Sequence, residues 1–271
     1  MNFHFKNIND IKIAYKDVGK GKVIFCLPPF PSSSASFIPF INKVKKQFRV
    51  IALDLPGFGG YSSLPEKNFT LNQYLKIIEK FILSFKLKKY YLLGYSFGGA
   101  LAINIVKRKS IIPQKLILVS AFYDGKDIFK YKPYIKYLRF FKKIKAKSLL
   151  NNLYTTLMNN LIKVTSYQDY IKIKNENYTK QLFKENKNMS LSASYCLMEQ
   201  LKESYVNDFF YDIPTLVIYS ENDLVFIKKQ MEILSKNPKI TSYFVKDADH
   251  RHFFFKVKKS VNKIVAFINK K

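Results

Sequence analysis

A serine stands in Gly94-Tyr95-Ser96-Phe97-Gly98-Gly99, between an apolar strand-like run, Tyr90-Tyr91-Leu92-Leu93, and a helix-like run, Ala100 to Lys107. A serine with small residues at both second neighbours fits a sharp strand-to-helix turn that carries its hydroxyl at the apex. In so tight a turn a side chain at 94 or 98 would strike neighbouring backbone, and glycine avoids this. The helix start also brings backbone N–H groups and a positive dipole end to the serine oxygen. The chemistry such a residue suits is nucleophilic attack. The G-x-S-x-G pattern is common by itself, and it is the strand–turn–helix setting that gives it meaning.

A serine hydroxyl needs a histidine base, and the base needs a carboxylate to fix its tautomer. The chain has three histidines. His4 lies in the first strand-like stretch and reads as a surface residue. His250 follows the strand-like Ile240 to Val245 and the loop Lys246-Asp247-Ala248-Asp249, a strand-end position suited to a base. His252 lies two residues further on and reads as a rim histidine or one behind the base. The carboxylate candidate is Asp223. It follows Pro214 to Tyr219, an apolar run that reads as a buried parallel strand. Glu221 is its nearest competitor, and Asp124, after the strand Lys115 to Ser120, a more distant one. In a purely structural role Asp223 would cap a helix from Phe226 onward.

The chain order Ser96, Asp223, His250 is that of the α/β-hydrolases. The sequence resembles that superfamily over nearly its whole length, and looks closest to small members with a helical cap. Val23-Ile24-Phe25-Cys26-Leu27 followed by Pro28-Pro29-Phe30 resembles the strand and oxyanion loop. Val50 to Leu53 followed by Asp54-Leu55-Pro56-Gly57-Phe58-Gly59 resembles the next strand and its D-x-P-G-x-G turn, which is specific for this branch. Ala248-Asp249-His250 resembles the alanine-glycine-histidine element.

The resemblance implies a mostly parallel eight-stranded sheet flanked by helices. Its core would be 1–125 and 213–271, with a helical cap inserted at 126–212. It implies a catalytic triad of Ser96, Asp223 and His250, with oxyanion donors Phe30 and Phe97. The activity expected is cleavage of an ester or other activated acyl compound of modest size, with no cofactor. Serine at the elbow argues against the dehalogenase and epoxide-hydrolase branches, which use aspartate there. Two positions depart from the pattern. Pro28-Pro29 stands where His-Gly is usual, and proline has no N–H; Phe30 does. Asp249 replaces a glycine, and aspartate tolerates the left-handed region better than most residues. The altered loop keeps a second reading open, a non-catalytic binding protein on the same scaffold.

The elements needed to position these residues are legible in outline. Phe3 to Asn7 and Lys12 to Asp17 read as a hairpin. The strands Val23 to Leu27, Arg49 to Leu53 and Tyr90 to Gly94 alternate with the helices Phe37 to Lys46 and Leu71 to Phe85, the latter capped by Thr70. After the strand Leu116 to Ser120, strand signals fade between Gly125 and Asp212. Apolar residues recur there at helical spacing, as in Leu149, Leu153, Leu157 and Leu161, which fits a cap. From Pro214 the alternation resumes, with helices at Ile227 to Ser235 and Val257 to Ile268.

At 271 residues and 48% hydrophobic residues, the chain can bury one substantial core. It has no apolar run long enough to cross a bilayer and no leader-like N-terminus, so a cytoplasmic protein is expected. Cys26 and Cys196 read as buried thiols, and no Cys/His cluster has metal-ligand spacing. The formal net charge of +28 invites a nucleic-acid or anionic-surface reading. The lysines are spread along the whole chain and no recognition motif accompanies them. The expected partner is therefore a small acyl substrate, with weak contact to anionic surfaces allowed and no specific nucleic acid. A composition rich in Asn, Ile, Lys, Phe and Tyr is also what an AT-rich genome favours.

Overall fold

The computed structural model describes residues 1–30, 32–63, 70–121, 152–157, 190, 193–194, 197, 213–223, 237–255 and 257–270. Eight strands form one sheet: β1 (His4–Ile8), β2 (Ile11–Val18), β3 (Lys22–Leu27), β4 (Phe48–Leu53), β5 (Tyr91–Tyr95), β6 (Lys115–Val119), β7 (Thr215–Asn222) and β8 (Ile240–Asp249). Their order is β1-β2-β4-β3-β5-β6-β7-β8. β1 and β2 pair antiparallel, as does β2 with β4, and every other pairing is parallel. The expected hairpin, the mostly parallel sheet and the eight strands are all present.

Burial on both faces explains the near-continuous apolar strands. Along β3, Val23, Phe25 and Leu27 face one core cluster, while Ile24 and Cys26 face the other. β6 repeats the pattern, with Leu116 and Leu118 on the first side and Ile117 and Val119 on the second. The first cluster is closed by α2 (Leu71–Leu83) and α3 (Phe97–Lys107), through Ile78, Phe81, Leu101 and Ile105. The second is closed by α1 (Ile38–Val44) and α5 (Val257–Asn269), through Phe40, Ile41, Val261 and Ile264. Each such side chain contributes about 1.5–3 kcal/mol on full burial. A charge at Leu92, fully buried in β5, would therefore break the sheet at its centre.

Local signals set the start of α2. Thr70 accepts the Gln73 N–H at 3.2 Å, and the Gln73 side chain accepts the Thr70 N–H at 2.9 Å, a reciprocal capping box. The helix expected from Phe37 begins instead as a 3-10 turn, Ser34–Phe37, with Ser33 accepting from Ala35 N–H, before α1 proper. A short helix, α4 (His252–Phe255), precedes α5.

Most of the expected cap, 126–212, lies outside the described residues, as do the helix expected at 227–235 and Cys196. Of the described parts of that segment, Tyr154, Ala193 and Leu197 belong to the cluster that holds Phe58 and Phe97, whereas Leu153 and Leu157, half of the apolar row read from the sequence, are exposed. The Ser190 N–H donates to Gly57 O at 2.8 Å, so this segment touches the D-x-P-G-x-G turn. Among the described residues no helix is long and apolar enough to cross a membrane. None of their His, Cys, Asp and Glu side chains cluster as metal ligands. Cys26 is a buried free thiol, and burial pushes its pKa up.

Candidate active site

β5 lies near the middle of the sheet and ends on the elbow. Ser96 adopts φ 52 and ψ −115, a conformation that costs a non-glycine residue about 1–3 kcal/mol. Two features hold it there. The Ser96 N–H donates to Val119 O of β6 at 2.8 Å. The chain also closes tightly around it: a Cβ at Gly94 would lie 2.5 Å from Gly98 O, and one at Gly98 2.1 Å from Leu27 O. The collisions expected of side chains at 94 and 98 are thus with backbone, which cannot swing aside. Ser96 occupies the N-cap position of α3, where a serine ordinarily binds a backbone N–H. Here its side chain makes no capping bond, and the hydroxyl is directed elsewhere.

It meets His250. Nε2 of His250 lies 2.8 Å from Ser96 Oγ, and Nδ1 lies 2.9 and 3.0 Å from the two carboxylate oxygens of Asp223. The Asp223 side chain is fully buried and His250 is a quarter exposed. The carboxylate can only accept, so Nδ1 carries the proton and the Nε2 lone pair faces the serine hydroxyl. Residues 96, 223 and 250 come from the ends of β5, β7 and β8, which the parallel pairing brings to one edge of the sheet.

The competing candidates are elsewhere. Glu221 accepts the Asp247 N–H at 2.9 Å and is exposed. His4 sits exposed on β1, its ring 5.5 Å from that of Tyr15. Asp124 lies outside the described residues.

His252 is not a rim residue. It is 1% exposed, with Nδ1 3.2 Å from Ser220 Oγ and 3.3 Å from Asp249 O. Burial pushes its pKa down to about 4, which keeps the ring neutral.

β8 also differs from expectation. It runs on to Asp249, with a bulge: Ser220 pairs with Val245, but Asn222 pairs with Asp249. The left-handed residue is Asp247, at φ 52, and not Asp249. Asp249 contributes its carboxylate instead, accepting the Arg251 N–H at 2.8 Å and the Arg251 guanidinium at 2.6 Å. Burial alone would raise the Asp249 pKa; the Arg251 hydrogen bonds outweigh it and hold the carboxyl below its usual range.

The loop after β3 approaches the elbow closely, since a Cβ on Gly98 would also lie 2.6 Å from Pro28 O. The Phe30 ring packs 5.6 Å from those of Phe97 and Phe58. Phe97 is the first residue of α3, where backbone N–H groups have no acceptor within the helix. Behind the loop, the fully buried Asp54 carboxylate accepts the Ser34 N–H at 2.8 Å. A Cβ on Gly59 would reach within 2.3 Å of the same carboxylate, so the D-x-P-G-x-G turn and the loop after β3 are packed as one unit.

Tyr95 and Ser220 also belong to this neighbourhood, and sequence reasoning passed over both. The Tyr95 hydroxyl donates to His250 O at 2.8 Å, and the Ser220 hydroxyl donates to Asp249 O at 2.6 Å. Nothing in the sequence pairs a tyrosine at 95 with a carbonyl at 250.

Comparison with known proteins bears on the fold and the family. A "Putative esterase/lipase 2" of Mycoplasma pneumoniae is 28% identical over 208 residues, which is 71% of this chain and 68% of that protein. The "AB hydrolase superfamily protein YisY" of Bacillus subtilis is 30% identical over 123 residues, covering 45% of this chain and under half, 46%, of that protein. Among solved structures, an esterase from Thermogutta terrifontis superposes with a TM-score of 0.75 at 15% identity, covering 99% of this chain and 98% of that one. An epoxide hydrolase from Bacillus megaterium gives 0.78 at 18% identity, covering 98% of this chain and 100% of that one. At these identities the likeness is one of fold. The family model described as "alpha/beta hydrolase fold" matches residues 22–259, a span that takes in β3 through the first turn of α5 and every strand end at the site; the chain belongs to the alpha/beta hydrolase fold family.

Proposed function

We propose that the protein is a serine hydrolase that cleaves an ester or another activated acyl substrate of modest size through an acyl-enzyme intermediate. The observation that carries this reading is the unbroken chain of hydrogen bonds from Ser96 Oγ through His250 to Asp223. Ser96 Oγ attacks the substrate carbonyl carbon and its proton passes to His250 Nε2. The imidazolium is steadied by Asp223, then returns the proton to the leaving group as the acyl bond breaks. Water, deprotonated by the same Nε2, attacks the acyl-enzyme and releases the acid and Ser96. The N–H groups of Phe30 and Phe97 hold the oxyanion, a contribution of about 2.7–4 kcal/mol for each donor removed. Phe30, half-buried, packs on the buried Phe58 and Phe97 rings, which offers an apolar surface to an acyl group.

Relatives named as esterase/lipase support the acyl class. The likeness to epoxide hydrolases is one of fold, and the elbow residue here is a serine, not the aspartate of that branch. A fluorophosphonate probe tests the reading, followed by peptide mapping. Labelling of Ser96 alone is expected, with turnover of short- or medium-chain nitrophenyl esters or thioesters. Label on a different serine, or no label on folded protein, would sink it.

A further inference from the structure

We propose that Tyr95 and Ser220 are positioning residues that together fix the backbone of His250 and so aim its ring at Ser96. The proposal rests on the serine-hydrolase reading of this site. Two peptide planes flank the His250 Cα, one ending in Asp249 O and the other in His250 O. Ser220 grips the first at 2.6 Å, and Tyr95 grips the second at 2.8 Å. Holding both planes fixes the backbone torsions of His250. Only the side-chain torsions then remain, and the Asp223 carboxylate restrains those.

The source of each hydroxyl matters. Tyr95 is the residue before Ser96 on β5. Ser220 lies on β7 three residues before Asp223, whose N–H donates to Ser220 O at 3.3 Å. Each strand that presents a triad partner to His250 therefore also holds one side of the His250 backbone. A shift of either strand carries the base with it, and the three side chains stay in register. β8 needs such ties. It is the edge strand of the sheet, bulged between 245 and 249 and exposed over much of its length.

Both hydroxyls suit the task. The Tyr95 side chain is fully buried, and its ring lies 6.0 Å from His250 and 5.5 Å from Phe253. Burial, then the nearby Asp223 and Asp249 carboxylates, raise its pKa well above the usual value, so the phenol stays a donor throughout the working range. Ser220 is 4% exposed, and the neutral His252 backs it at 3.2 Å.

Tyr95→Phe removes one oxygen and keeps the ring; Ser220→Ala removes the other hydroxyl. Two readouts on the full chain separate this proposal from the reading beneath it. The first is fluorophosphonate labelling of Ser96, resolved into kinact and KI. Each variant is expected to lose about 10- to 100-fold in kinact, as misplacement of a reacting group does, with KI within about twofold. The double variant should lose less than the product of the two, because both act on one loop. The second readout is the imidazole resonances of His250, which report ring orientation whether or not the protein turns over substrate. One sharp set is expected in the wild type, and broadened or doubled sets in the variants. Wild-type-like kinact and resonances in both variants would overturn the proposal. Should the wild type itself fail to label, the hydrolase reading falls, and the resonances alone decide whether the two hydroxyls aim His250.

Discussion

The end of β5 and the end of β8 deliver two groups to the same point by opposite means. β5 is buried at every residue, whereas β8 is mostly half-buried or exposed. At β5 the placement is steric: backbone presses on backbone around Gly94 and Gly98, and Ser96 is held at a positive φ. At β8 the placement is by hydrogen bonds, from Tyr95, Ser220 and Arg251 to a bulged edge strand. The difference suits the tasks proposed for each end. A nucleophile attacks from one position, and close packing supplies one position. A base must keep its ring aimed while it takes and returns a proton, and hydrogen bonds to the peptide planes on either side of His250 aim the ring without enclosing it.

The largest expected effect strikes both ends equally. Ser96→Ala or His250→Ala should lower turnover by about 10⁴-fold or more while leaving the thermal unfolding cooperative. Retained activity in His250→Ala, with loss in a His252 variant, would move the base to the other histidine. Asp223→Asn comes next. The geometry survives but the tautomer does not, and a fall in maximal rate of about 10³–10⁴-fold is expected, with little change in stability. If Asp124→Asn had that effect instead, the β7 end would lose its role.

The steric and hydrogen-bonded ends should then part company. Gly98→Ala forces a methyl group against Leu27 O and is expected to cost about 3–4 kcal/mol, read as a denaturant midpoint, with activity falling as the elbow shifts. An unchanged midpoint would show that the elbow is looser than its contacts imply.

At the β8 end the sensitive variable is pH. His252 is held near a pKa of about 4 in the folded chain, against about 6.5 when unfolded. Between those values the unfolded state binds the extra proton. Stability contributed by the neutral ring is therefore complete above about pH 6.5 and falls as pH drops towards 4, by about 2–3 kcal/mol. His252→Gln should flatten that part of the stability profile relative to wild type while keeping most of the activity. Parallel profiles for the two proteins would refute it.

The smallest effect belongs to Asp247, which shares the positive φ of Ser96 but none of its chemistry. Asp247→Gly should alter the unfolding free energy by less than about 1 kcal/mol and leave turnover intact. A loss of activity there would mean that the bulge itself aims the base.

Much of this was open to a reader of the sequence. The glycines at 94 and 98 and the apolar run ending before Asp223 follow local rules: tight turns need glycine, and buried parallel strands are apolar throughout. The order of the three residues was legible through the family resemblance. Other features resisted. The extension of β8 to Asp249 was hidden because a bulge interrupts the period of two on which strand patterns depend. His252 read as either a rim histidine or one behind the base, because a polar side chain in a loop-like stretch is ordinarily solvated; of the two it is the buried one, at the start of a short helix against the core.

By itself, the sequence determined the elbow and the alternation of strands and helices, because glycine geometry and hydrophobic period are encoded within short windows. Its resemblance to the α/β-hydrolases gave the fold family and named Asp223 and His250 as candidates beside Ser96. Only the tertiary structure decided that Ser96 forgoes its capping bond to face His250, that Asp223 and not Glu221 reaches the imidazole, and that Tyr95 and Ser220 hold the carbonyls of 250 and 249. Those are contacts between strands more than a hundred residues apart or across a bulge. A hydrogen bond acts over about 3 Å, and local pattern carries no information about which distant carbonyl will come to rest at that distance.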